Sequence, residues 1–178
     1  LQLREKDLAF EEFLREAREV KKLTDRYGVP FVINDNIEVA MECDADGVHV
    51  GQSDMAAFDV RKMIGEDKIL GVSAQTVEQA IEAERCKADY IGVGAVFGST
   101  TKLDASLVSY DTLSEICASV SVPVVAIGGI NEGNVMELKG SGVSGVAVIS
   151  AIFAREDVRD ATARLLRMSG EMVTYGQI

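Results

Sequence analysis

Apolar residues at Phe10, Phe13, Leu14, Ala17, Val20, Leu23 and Tyr27 recur every three or four positions, the period of a helix that buries one stripe. Gly28 stops that helix ahead of Pro30. From there the pattern changes to short runs rich in Val and Ile: 31–33, 47–50, 69–72, 90–93, 124–127 and 146–149. These runs are apolar without alternation, as parallel strands covered by helices on both faces tend to be. Helices are predicted between and after them over 36–42, 57–64, 77–87, 110–119, 134–139 and about 158–168. Thr76 and Gln79 have the spacing of a capping box at the start of the fourth of the chain's predicted helices.

Counting the opening segment 2–6 as a strand, every strand is followed by a helix. The expected fold is therefore α/β, a (β/α)8 TIM barrel in which the first strand and its helix, together roughly 25 residues, are missing. An open doubly wound sheet is the alternative. Residues 1–178 are expected to form one domain, with 171–178 as a mobile tail.

The opening segment carries the first chemical signal. Successive strand residues face opposite sides, so Gln2, Arg4 and Lys6 project one way and Leu1, Leu3 and Glu5 the other. An amide and two cations converging on a small volume suit a polyanion such as pyrophosphate. In a parallel α/β barrel the loops after the strand ends build the active site, so the polar residues just past each strand are the ones to collect. The second strand ends in Asn34-Asp35, and the third runs into Gly51-Gln52-Ser53-Asp54. Asp35 and Asp54 could together hold one Mg2+, or could each cap a helix. Ser73 is expected just past the fourth strand, as a ligand hydroxyl or an ordinary turn serine.

The loop after the fifth strand, from Gly94 to about Val108, is longer than its neighbours, and it contains Gly98-Ser99-Thr100-Thr101-Lys102. Three hydroxyls and a cation fit a clamp over an anion. Gly128-Gly129 and Ile149-Ser150 close the last two strands, where backbone approach and helix N-H groups suit a phosphate. His49, the sole histidine, is expected to be buried and structural.

Charge narrows the partners. A net charge of −11 lacks the basic field that nucleic acid or an anionic membrane needs, so any phosphate must be held locally. No apolar run reaches the ~18 residues of a membrane span, and a cytoplasmic protein is expected. Cys43, Cys86 and Cys117 are widely spaced and are expected as reduced structural thiols.

Taken together, the segments 2–6, 34–35, 49–54, 71–73, 101–102, 127–129 and 148–150 resemble those of thiamine-phosphate synthases, in that family's order and spacing. The resemblance implies a transferase that joins a hydroxymethylpyrimidine diphosphate to a thiazole phosphate and releases pyrophosphate. It further implies that Gln2, Arg4, Lys6, Asn34, Ser73 and Lys102 bind the pyrimidine diphosphate, and that Asp35 and Asp54 hold Mg2+. Ser99, Thr100 and Thr101, with Gly129, Ile149 and Ser150, would receive the thiazole phosphate. Arg4, Lys6 and Lys102 would carry the catalytic charge stabilisation. The partners implied are these small molecules, with a homo-oligomer possible.

Three positions depart from the family's pattern. Gly98 and Ser99 stand where proline and threonine are common, and Gln75 stands where many relatives carry histidine, a residue through which a related thiazole tautomerase transfers protons. Glutamine does no acid–base work, which lowers the tautomerase reading. A Schiff-base aldolase using Lys102, or a noncatalytic phosphate-binding paralogue, would also fit parts of this pattern.

Overall fold

In the computed structural model, residues 1–52, 57–98 and 107–173 are described. They contain the strand–helix repeat of a (β/α) barrel in seven parallel copies. The chain divides into two compact units, Leu1–Ser73 with Arg85–Asp89, and Ala74–Glu84 with Tyr90–Ile178.

In the first unit, β1 (Gln2–Leu3), β2 (Val32–Asn34), β3 (Gly47–Val50) and β4 (Ile69–Ala74) lie side by side in chain order. The register places Gln2 beside Val32, Asn34 beside His49, and His49 beside Gly71. Ile33, Val48 and Leu70, all fully buried, form one row across the strands. Gly47 is required there, because a Cβ would sit 2.2 Å from the Ile69 carbonyl oxygen.

Helix α1 (Phe10–Tyr27) ends at Gly28 with φ +62, the left-handed C-cap that the glycine stop predicts. Its buried face is Phe13, Leu14, Ala17 and Thr24, whereas Leu23 and Tyr27 are exposed. Thr24 tolerates burial because its hydroxyl donates to the Lys21 carbonyl at 2.9 Å, within its own helix. The helix α2 (Ile37–Glu42) is capped by Asn36, whose Oδ1 accepts from the Val39 N-H at 2.9 Å.

The helix α3 (Ala57–Ile64) carries Arg61, which is 7% exposed. Its guanidinium donates to the carbonyls of Gly65, Lys68 and Lys87 and to Asp89 Oδ2 at 2.6 Å. Asp89 in turn accepts from the Leu70 N-H at 2.7 Å. The same device recurs nearer the start of the chain, where Asp46 accepts from the Phe31 N-H at 2.7 Å. Ala45-Asp46 and Ala88-Asp89 thus each precede a strand and bind the backbone of the strand before it.

In the second unit, β5 (Tyr90–Val93), β6 (Val124–Ile127) and β7 (Gly145–Ala147) run parallel in chain order. The helices are α4 (Val77–Arg85), α5 (Tyr110–Ser119), α6 (Ser150–Phe153) and α7 (Val158–Val173), with a 3-10 turn at Val135–Leu138. Hydrophobic periodicity does not reveal α6, which is a single turn. It also ends the last helix too early: α7 continues to Val173, and Met172 is 2% exposed, so 171–173 are not a loose tail. Gln79 N-H donates to Thr76 Oγ1, and Gln79 Oε1 accepts from the Gln75 N-H rather than from that of Thr76. The capping box is therefore displaced by one residue.

Candidate active site

In the first unit Arg4 and Lys6 follow β1, Asn34 is the last residue of β2, Asp35 follows it and Ser73 lies near the end of β4, whereas Gln2 is the first residue of β1, in register with Val32 at the start of β2. Gln2, Arg4 and Lys6 are exposed while Leu3 and Glu5 are half-buried, but Leu1, expected on the side of Leu3 and Glu5, is exposed as well. Asn34 is buried at the end of β2, in the same register row as His49 and Gly71. Ser73 lies inside β4 rather than past it, because the strand continues to Ala74.

Neighbours in a parallel register share a face, and Ser73 follows Gly71 by two residues, so His49 and Ser73 point the same way. They meet: His49 Nε2 and Ser73 Oγ are 2.9 Å apart. Gln52 Nε2 donates to the Ser73 carbonyl at 2.6 Å. His49 is buried, as expected, and it also fixes the hydroxyl of a candidate ligand residue. Chain spacing alone does not reveal this contact, although aligning the strands in parallel would.

Asp35 has φ +65, a left-handed conformation that is uncommon for a side chain. Its N-H donates to the His49 carbonyl at 2.8 Å, and the Asn36 N-H reaches back to the Asn34 carbonyl at 2.8 Å. The capping role falls to Asn36, and Asp35 stays exposed just beyond the strand. An exposed carboxylate held by a strained backbone suits a hard cation, which takes oxygen ligands. Among the described residues no group of three metal-binding side chains occurs. Asp54, the proposed second ligand, lies outside the described residues, as do Ser99, Thr100, Thr101 and Lys102.

In the second unit, β6 delivers Gly128 at φ +102 and Gly129 at φ +67. A Cβ on Gly128 would lie 2.5 Å from Ala95 Cβ, and one on Gly129 2.5 Å from the Gly98 oxygen. These glycines therefore admit the segment that follows β5, which is fastened by Val96 N-H to the Ile127 carbonyl and Phe97 N-H to the Gly128 carbonyl. Gln75 Nε2 donates to the Gly94 carbonyl at 3.1 Å and holds the beginning of the same segment. Ile149 and Ser150 are exposed; Ile149 precedes α6 and Ser150 is its first residue. Two asparagines that no sequence motif marks, Asn131 and Asn134, both donate to the Gly129 carbonyl. Their positions two and five residues after a glycine pair are the signal that could have found them.

A cleft of about 570 Å3 opens at the opposite, amino-terminal strand ends of the first unit, among Lys21, Asp25, Asp46 and Lys68. Its lysines are engaged in ion pairs, Lys21 with Asp25 and Lys68 with Asp44 at 2.8 Å. None of the candidate residues lines it. Cys43 and Cys86 are buried, and burial pushes the Cys117 thiol up to about 11. Among the described residues no helix is long and apolar enough to cross a membrane.

Comparison with known proteins adds independent findings. A family model described as thiamine monophosphate synthase matches residues 1–152. Thiamine-phosphate synthase from Ruminiclostridium cellulolyticum is 54% identical over 168 residues, 94% of this chain and 80% of that protein. The enzyme of the same description from Clostridium tetani is 51% identical over 93% of this chain and 79% of its own length. A thiamine phosphate pyrophosphorylase from Pyrococcus furiosus superposes with a TM-score of 0.88 at 40% identity, covering 97% of this chain and 83% of that one.

Proposed function

The chain belongs to the thiamine monophosphate synthase family, and from that premise we propose the reaction and the residues that perform it. It is a transferase that joins 4-amino-2-methyl-5-hydroxymethylpyrimidine diphosphate to 4-methyl-5-hydroxyethylthiazole phosphate, or to its carboxylated form with loss of CO2, and releases pyrophosphate. The observation that carries this is 54% identity to a thiamine-phosphate synthase across 94% of the chain.

In this reading Gln2, Arg4, Lys6, Asn34 and Ser73 of the first unit hold the pyrimidine diphosphate, joined by Lys102. The bond from the pyrimidine methylene to the diphosphate oxygen breaks, and the departing pyrophosphate keeps the electron pair. The aminopyrimidine ring spreads the resulting positive charge. Arg4, Lys6 and Lys102 neutralise the leaving group, an effect that strengthens as water is excluded. The thiazole nitrogen then supplies its lone pair to the methylene carbon. It carries no proton, so no base is required, and a chain whose sole histidine is committed to Ser73 is adequate.

Asp35 and Asp54 would hold Mg2+, which when bound supplies charge neutralisation to diphosphate oxygens. Ser99, Thr100 and Thr101, with Gly129, Ile149 and Ser150, receive the thiazole phosphate. Exposed Ser150 and the backbone around it offer hydroxyl and N-H donors at the end of β7.

Pyrophosphate release measured with each substrate omitted in turn, with and without Mg2+, tests the reading. Release is expected only with both substrates and the ion. A tautomerase would transform the thiazole phosphate alone, and a noncatalytic paralogue would be stabilised thermally without forming product. Lys102→Ala is expected to lower kcat by about a hundredfold through lost charge stabilisation, and an unchanged kcat would remove Lys102 from the mechanism.

A further inference from the structure

Gly128 and Gly129 are consecutive residues with positive φ, +102 and +67, and glycine backbone is the most pliable that a chain can offer. A phosphate bound through backbone N-H groups needs them fixed to within about 0.5 Å. The fold supplies a device that does this. Asn131 Nδ2 donates to the Gly129 carbonyl at 3.1 Å, and Asn134 Nδ2 donates to the same carbonyl at 3.0 Å.

Each amide is also held at its other end. Asn134 Oδ1 accepts from the Asn131 N-H at 2.8 Å, and Asn131 Oδ1 accepts from the Gly133 N-H at 2.8 Å. The Asn131 carbonyl accepts from the N-H groups of Asn134 and Val135 at 3.2 and 3.0 Å. The turn is further tied to α7 by Arg164 Nε and Glu132 Oε2 at 3.1 Å. On its other side Gly129 is confined by the Phe97 and Gly98 oxygens, which leave no room for a Cβ. Two donors on one carbonyl also polarise the Gly129–Ile130 peptide, making its N-H a stronger donor.

We propose that Asn131 and Asn134 are positioning residues for the thiazole phosphate, acting as a clamp that fixes the Gly129 peptide through its carbonyl. The inference rests on the reading that Gly129 belongs to the thiazole-phosphate site. It adds the residues that hold that backbone in place, and it involves the second unit alone.

The test is steady-state kinetics on the full chain with Asn131→Ala, Asn134→Ala and the double variant, varying each substrate at saturating levels of the other. These changes are neutral, so they alter no charge near the phosphate. Each single variant is expected to raise KM for the thiazole phosphate about threefold, and the double variant about tenfold, while KM for the pyrimidine diphosphate is unchanged. Should the double variant not fold, the single variants suffice, assayed well below their thermal midpoints.

An unmoved thiazole KM, or equal shifts in both KM values alongside a lowered Tm, would overturn the clamp and leave a structural turn. Ser150→Ala separates the inference from the reading beneath it. If Ser150→Ala raises the thiazole KM while the asparagine variants do not, the site stands and the clamp falls. Wild-type protein without thiazole-dependent pyrophosphate release would overturn both.

Discussion

Asp35 shows at the scale of one residue how structure separates two roles that its sequence context leaves together. An aspartate one residue ahead of a helix reads equally as a cap or a ligand, but Asn36 performs the capping and Asp35 takes φ +65 beside it. Asparagine also tolerates that conformation, so Asp35→Asn is expected to leave Tm within about 2 °C. The midpoint of the Mg2+ titration of activity should rise at least about tenfold as one anionic ligand is lost. An unaltered titration would exclude Asp35 from metal binding. Cys117 behaves oppositely: half-buried, with its thiol pushed up to about 11, it holds almost no thiolate at neutral pH. Iodoacetamide at pH 8 should modify it about two orders of magnitude more slowly than free cysteine, with the rate climbing as pH approaches 11. Mass spectrometry of the peptide that contains Cys117 reads the rate directly.

Elements meet through a small number of polar ties. Arg61 is a helix residue, and its guanidinium reaches both the segment that leads into β4, at Gly65 and Lys68, and the one that leads into β5, at Lys87 and Asp89. Lysine has no planar fork with which to match these acceptors. Arg61→Met is expected to cost about 3 kcal/mol in urea unfolding, since the part-buried hydrogen bonds to Gly65, Lys68, Lys87 and Asp89 are lost together, and Arg61→Lys should recover less than half of it. The periodicity that predicts α3 is silent about this role. It marks Arg61 as a polar position, and only the carbonyls brought in from distant residues make burial tolerable. The displaced capping box at Gln75–Gln79 and the unforeseen turn α6 have a similar origin, because local pattern competes with neighbouring strand ends.

For the whole molecule, a formal charge of −11 makes self-repulsion a general term. The ion pairs Lys22–Glu19 and Lys87–Glu66 are exposed on both sides and contribute little. Salt screening should relieve more repulsion than attraction, so Tm in 0.5 M NaCl is expected to exceed that in 20 mM by a few degrees. A fall in Tm would show that attractive pairs dominate.

The strand–helix repeat was legible along the chain, because burial on both faces selects continuous Val and Ile runs. The glycine stop after α1 was legible locally as well. Which side chains meet was not. The contact between His49 and Ser73 and the exposure of Leu23 and Tyr27 depend on strand register and on packing between distant segments. Periodicity records which residues avoid water, a property of each position. Hydrogen bonds between residues far apart in sequence are created by the parallel alignment of the strands, and only the folded chain specifies them.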